Sequence, residues 1–137
     1  MVPYLANNLT PRILKFSLRG CTNLRDEHVE TVVKRCNKIT ELDLGHTHTI
    51  SYITLTNIIE NLKYTLEKLD LTYFWVRDLT KYYELKSMPK LKYLRMDHLS
   101  YDVLVTLNNQ LPNVKVGRDF LKIAKFIVPP EKESTYV

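Results

Sequence analysis

An α/β solenoid, with short parallel strands forming a concave sheet and helices on the convex side, is the fold the sequence predicts. Three observations carry the prediction. The pattern apolar-x-x-apolar-x-apolar occurs at Ile13-Leu14-Lys15-Phe16-Ser17-Leu18, Ile39-Thr40-Glu41-Leu42-Asp43-Leu44, Leu66-Glu67-Lys68-Leu69-Asp70-Leu71 and Leu91-Lys92-Tyr93-Leu94-Arg95-Met96. The middle apolar residues, Phe16, Leu42, Leu69 and Leu94, follow one another at intervals of 26, 27 and 25 residues. After each pattern the apolar spacing changes from period two to the helical i, i+3, i+4.

Intervals of this size are the leucine-rich-repeat period, so the architecture expected is about four leucine-rich repeats plus a partial fifth. In each strand the alternating apolar residues point inward and those between them are displayed. The helical stripes are Val29, Val32, Val33 and Cys36; Leu55, Ile58, Ile59 and Leu62; Leu79, Tyr82, Tyr83 and Leu85; and Leu104, Leu107 and Leu111. Asp26 and Ser51 read as N-caps, and Asp102 as a first-turn carboxylate suited to the helix dipole. Pro89 and Pro112 stop helices and hold the preceding residue extended, which starts the next strand. The third helix is expected to be the shortest, and the fifth unit is cut to Val114-Lys115-Val116.

Residues 1–12 read as the last helical stretch of an earlier unit, because Leu9-Thr10-Pro11-Arg12-Ile13 matches Leu62-Lys63-Tyr64-Thr65-Leu66 in placement. The repeats then occupy 13–116 and a tail 117–137. An array beginning midway through a unit leaves a strand edge that needs covering. The apolar part of the tail, Phe120-Leu121-Lys122-Ile123-Ala124-Lys125-Phe126-Ile127-Val128, is expected to pack back on the last repeat.

Composition excludes several classes. With 45% apolar and 26% charged residues, the chain is globular, not disordered. A net charge of +5 comes from 20 basic and 15 acidic residues that are interspersed, which reads as solubility first. Two cysteines, Cys21 and Cys36, make no disulfide framework and suit a reducing compartment. No secretory leader or apolar run of membrane-spanning length is visible, so cytoplasm or nucleus is expected and no membrane.

The progression Leu18-Arg19-Gly20-Cys21, Arg25-Asp26-Glu27-His28-Val29, Arg35-Cys36-Asn37-Lys38-Ile39 and Leu42-Asp43-Leu44 resembles the cysteine-containing leucine-rich repeats of F-box proteins. Thr47, Phe74 and Leu99 take the place of the first cysteine in later units. The stretch Met88-Pro89-Lys90-Leu91-Lys92-Tyr93-Leu94, then Leu107, Leu111-Pro112-Asn113-Val114 and the following Asp119-Phe120-Leu121, is similar to the last repeats and tail of the S-phase kinase-associated F-box family. The resemblance covers roughly residues 9–128. It implies substrate recognition for an SCF-type (cullin) ubiquitin ligase, with ligase components as partners. No segment upstream of Ile13 is long enough to be an F-box, so the alternative is a stand-alone adaptor or competitor.

The displayed strand positions are Lys15, Ser17 and Arg19; Glu41, Asp43 and Gly45; Lys68, Asp70 and Thr72; and Tyr93, Arg95 and Asp97. Parallel strands set such residues in rows on a rigid scaffold, which suits a protein partner. The residues expected to bind it are Arg19, Glu41, Asp43, Lys68, Asp70, Tyr93, Arg95 and Asp97, with Tyr73 and Trp75 as rim anchors. Phe74 between them is expected in the core. Truncating the inward Leu42 or Leu69 should unfold or severely weaken the array, while Asp43→Ala or Arg95→Ala should leave folding nearly intact.

His46-Thr47-His48 lacks the third and fourth ligand of a metal site, and no nucleophile, base and oxyanion donor come together, so neither a cofactor nor catalysis is expected. Lys115, Arg118, Lys122 and Lys125 form a modest basic cluster without a nucleic-acid motif, so a nucleic-acid partner is not expected. Thr135-Tyr136-Val137 has the apolar carboxy-terminal form that PDZ domains read by strand addition.

Overall fold

The computed structural model describes residues 9–119. Five three-residue strands, β1 (Lys15–Ser17), β2 (Glu41–Asp43), β3 (Lys68–Asp70), β4 (Tyr93–Arg95) and β5 (Lys115–Gly117), make one parallel sheet in sequence order. Four helical connections join them: α1 (Asp26–Arg35), α2 (Tyr52–Leu62), a 3-10 helix (Leu79–Ser87) and α3 (Tyr101–Gln110). Each packs on the next, α1 on α2, α2 on the 3-10 helix and that on α3.

The register follows the apolar pattern. Phe16, Leu42, Leu69, Leu94 and Val116 pair across all five strands in one row. Leu42, Leu69, Leu94 and Val116 are buried, and Phe16 on the edge strand is half-buried. Leu18, Leu44, Leu71 and Met96 form a second buried row. The helical stripes cover these rows: Val29, Val32, Val33, Cys36, Leu55, Ile58, Leu62, Leu104, Leu107 and Leu111 all belong to a single core cluster.

Two local expectations change. Asp26 is the first residue of α1, not its cap; the N-cap is Arg25. The Asp26 carboxylate instead accepts from the Ser51 N–H at 2.8 Å, the Ser51 hydroxyl at 2.7 Å and the Thr54 hydroxyl at 2.5 Å. It therefore ties the start of α1 to the start of α2, where Ser51 is the cap and accepts from the Ile53 N–H. Partial burial pushes this carboxyl upward, but the bonds from Ser51 and Thr54 outweigh it and hold the group below its usual range.

The third connection is the shortest, as expected, but it is a nine-residue 3-10 helix and not an α-helix. At ~2.0 Å per residue against ~1.5 Å, the tighter coil spans the same height with fewer residues. Its buried side repeats every third position: Leu79 half-buried, then Tyr82, Leu85 and Met88 buried. Tyr83, on the α-helical stripe, is only partly buried as a result. The Tyr82 hydroxyl donates to the Phe74 carbonyl at 3.2 Å, and burial pushes that phenol well above its ordinary value.

At β5 the outward backbone of Val116 is satisfied by a side chain. Asn108 of α3 accepts from the Val116 N–H at 2.9 Å and donates to its carbonyl at 2.8 Å. Before β1, residues 11 and 12 form a turn. The helix expected over 1–12 therefore does not extend through its last four residues, since 9 and 10 are irregular; residues 1–8 lie outside the described residues, as do the apolar tail from Phe120 onward and Thr135-Tyr136-Val137.

Candidate functional site

The outward strand positions stand in two rows set by the pairing. The first is Lys15, Glu41, Lys68, Tyr93 and Lys115; the second is Ser17, Asp43, Asp70, Arg95 and Gly117. Between the rows and the core residues beneath them lies an open groove of about 320 Å³, bordered by Lys15, Glu41, Asp43, Lys68 and Arg95 among others. In the first row Glu41 sits between two lysines, 2.9 Å from the Lys15 amine and 3.6 Å from that of Lys68. The bond from Lys15, with the charge of Lys68, holds the Glu41 carboxyl below its usual value. The Lys68 amine also lies over the Tyr93 ring, 5.7 Å from its centre.

The second row is an alternating ion ladder. Arg19 reaches back across β2 to Asp43 at 3.2 Å and on to Asp70 of β3 at 3.0 Å. Gly45 permits this, because a Cβ there would run into the Arg19 guanidinium. From the other side Arg95 lies 3.7 Å from the same Asp70 oxygen and binds Asp97 through Nε and Nη2 at 2.9 and 2.6 Å. Its Nε also donates to the Arg118 carbonyl.

Asp70 and Thr72 correct the expectation of display. Both occupy positions that the alternation puts opposite the core rows, yet they are only 2% and 1% exposed. Asp70 is covered by the two guanidinium groups, and its other oxygen accepts from the Thr72 N–H at 2.9 Å. Asp70 is therefore a structural anion under the surface, while Arg19, Asp43, Arg95 and Asp97 stay partly exposed.

Tyr73 and Trp75 lie at the rim, 39% and 62% exposed, and Phe74 between them is fully buried. The rim has its own register: Gly20, His46, Tyr73 and His98 each lie two positions beyond the third apolar residue of their unit. Gly20, His46 and Tyr73 have positive φ, and the N–H groups of Gly20 and His46 bond the carbonyls of Gly45 and Thr72 on the next unit. For Tyr73 the acceptor is instead the Nδ1 of His98 at 2.7 Å. The Tyr73 ring lies between His46 and His98 at 4.7 and 5.5 Å, and Trp75 meets His98 edge-on at 4.8 Å.

A ring nitrogen in place of a carbonyl makes this rung titratable. Nδ1 can accept only when unprotonated, so the neutral ring carries its proton on Nε2, which is buried without a hydrogen-bond partner among the described residues. Burial holds the His98 pKa below its ordinary 6.5, against the upward pull of the nearby Phe74 backbone and of the Asp97 and Asp70 charges. The unfolded chain therefore binds the extra proton more readily, and stability contributed by this group falls as pH drops below that value. Trp75, the only tryptophan, should report the break. Its fluorescence is expected to change as pH falls below the ordinary histidine value of 6.5 in the native chain and to stay flat in His98→Asn, whose amide oxygen accepts without titrating. A titration that persists unchanged in His98→Asn would assign the effect to another group.

The remaining candidates are placed plainly. Cys36 is buried, donates to the Thr10 carbonyl at 3.3 Å, and burial pushes its thiol up; Cys21 is half-buried. Thr47, in the position of Cys21, is buried with its hydroxyl on the Leu44 carbonyl at 2.5 Å, while His46 and His48 are exposed. Among the described residues no three His, Cys, Asp or Glu side chains converge on one point, and no helix is long and apolar enough to cross a membrane. No protein-family model and no curated protein sequence matches the chain.

Proposed function

We propose that this protein is a leucine-rich-repeat module that binds a protein partner on its concave face and performs no catalysis of its own. The observation that supports the reading most is the unbroken five-strand register, which sets outward side chains in rows. The ion ladder fixes Arg19, Asp43, Arg95 and Asp97 in place before any partner arrives, which lowers the ordering cost of binding. The open groove is too exposed to enclose a small molecule on most sides but suits side chains of an extended protein segment.

By its resemblance to F-box repeat proteins, the module's setting is substrate recognition for a cullin-type ubiquitin ligase in the cytoplasm or nucleus. The test is affinity purification of the tagged chain from its native cells, with quantitative proteomics. Recovery of cullin and adaptor subunits alongside a substrate is the expected result. A partner without those subunits would make the protein a stand-alone adaptor. Tyr93→Ala should diminish partner recovery severalfold, whereas Glu60→Lys on the exposed side of α2 should not; equal recovery with both would remove the concave face from the interaction.

A further inference from the structure

The two borders of the sheet are not alike. At β5 the outward N–H and C=O of Val116 are both taken by the Asn108 amide. At β1 the corresponding groups are open. The Leu14 carbonyl accepts from the Glu41 N–H at 3.1 Å, and the Leu18 N–H donates to the Asp43 carbonyl at 2.8 Å. Main-chain groups point to alternate sides along a strand, so Phe16, midway between those two residues, also serves β2. The N–H and C=O of Lys15 and Ser17 therefore face away from the sheet, and among the described residues no hydrogen bond reaches them.

Apolar surface lies along the same border. Leu14 is 54% exposed, and Phe16 is half-buried. One residue before each paired triplet, the next three units carry Thr40, Glu67 and Lys92, all suited to water. Of these four units, the border unit alone places a leucine there.

We infer that the occupant of this border is a second copy of the chain, joined β1 to β1 in antiparallel fashion about a two-fold axis at Phe16. Such pairing is independent of what the concave face binds. In that register Lys15 of each copy lies opposite Ser17 of the other, and each such pair exchanges main-chain hydrogen bonds in both directions. Phe16 meets Phe16 as a pair without hydrogen bonds, the closest approach an antiparallel ladder offers, so two half-buried rings cover one another. Charge agrees with the register. Lys15 faces a neutral serine and not the other Lys15. The next side chain along that line is the Asp43 carboxylate of the second copy, 31% exposed and about 10 Å away at ~4.8 Å per strand. The Lys15 side chain, 76% exposed, is long and flexible enough to extend toward it.

Symmetry favours a second copy over an unrelated strand. A two-fold pairing uses the same surface on both molecules, and it consumes both open borders at once. Each outer border is then a β5 already held by Asn108, so assembly stops at two.

Sedimentation velocity and light scattering on the full chain, from about 5 to 500 μM, test the pairing. The seam is short, so the mass should rise toward twice that of one chain only in the upper part of this range. Hydrogen exchange of the Lys15 and Ser17 amides should slow with the same concentration dependence. Ser17→Pro removes one outward N–H and puts the ring in its place, a change that an edge strand tolerates on its open side; this variant should remain monomeric throughout. Leu14→Glu, which gives the border unit the residue that Glu67 supplies two units on, should weaken pairing by about ten-fold. It keeps the test decisive if circular dichroism shows that Ser17→Pro does not fold.

A single-chain mass across the whole range, or undiminished pairing in a folded variant, would overturn the inference. Protection of the Lys15 and Ser17 amides that is equally strong at the lowest concentration would do the same, because another part of the same chain would then occupy the border. Species larger than two copies would count against it as well, since they require a further contact surface.

Discussion

Leu69→Ala is expected to remove about 2–5 kcal/mol of folding stability, the cost of deleting buried methyl groups together with the cavity they leave. Leu69 is fully buried on the central strand, with Leu42 and Leu94 opposite it on either side. The neighbouring rows are held by main-chain pairing, so the strands are poorly placed to close in on the gap. Domains of this size have only ~5–15 kcal/mol in total, and the urea midpoint should fall steeply with little change in slope. A loss below about 1 kcal/mol would mean that the row is loosely packed or relaxes freely.

The second large effect is at Asp70. Replacing it with Ala leaves Arg19 and Arg95 facing one another without the anion between them and strips the Thr72 N–H of its acceptor. Both arginines remain partly solvated, 35% and 27% exposed, so the cost is set at about 1–3 kcal/mol, below that of breaking a fully buried pair. Asp43, 31% exposed, should cost less than about 1 kcal/mol when replaced by Ala. Urea titration of the two variants side by side decides the matter: matching losses would mean that burial of Asp70 has no energetic weight.

The core was legible in the sequence because its signal is repeated. A slip of one residue would turn every strand inside out, so alternation at Phe16, Leu42, Leu69 and Leu94 specifies the face, and the recurring interval specifies which residues align. What alternation cannot specify is cover. Asp70 occupies an outward position, as read, yet two guanidinium groups arriving from β1 and β4 bury it.

Other features depended on atoms far apart in the chain. Asp26 reads locally as a cap, but its acceptors are used by Ser51 and Thr54, 25 and 28 residues away. Leu79 and Tyr82 suit both an α-helix and a 3-10 helix; only Leu85 and Met88, taken with them, mark the period of three. His98 gave no sign in isolation, although its alignment with Gly20, His46 and Tyr73 places it on the rim. That its ring nitrogen accepts the Tyr73 N–H, where a carbonyl accepts in the other units, emerges only from the coordinates.

The Asn108 amide at Val116 has a consequence for self-association. Exposed strand borders are templates on which identical chains polymerise, and proteins blunt them with charge, proline or a covering element. Here one planar amide mimics a peptide group and occupies both hydrogen-bonding sites at once. A second molecule seeking to dock its own strand on that side must first evict a donor and an acceptor already in place, so fibre growth from β5 is blocked by a single residue of α3.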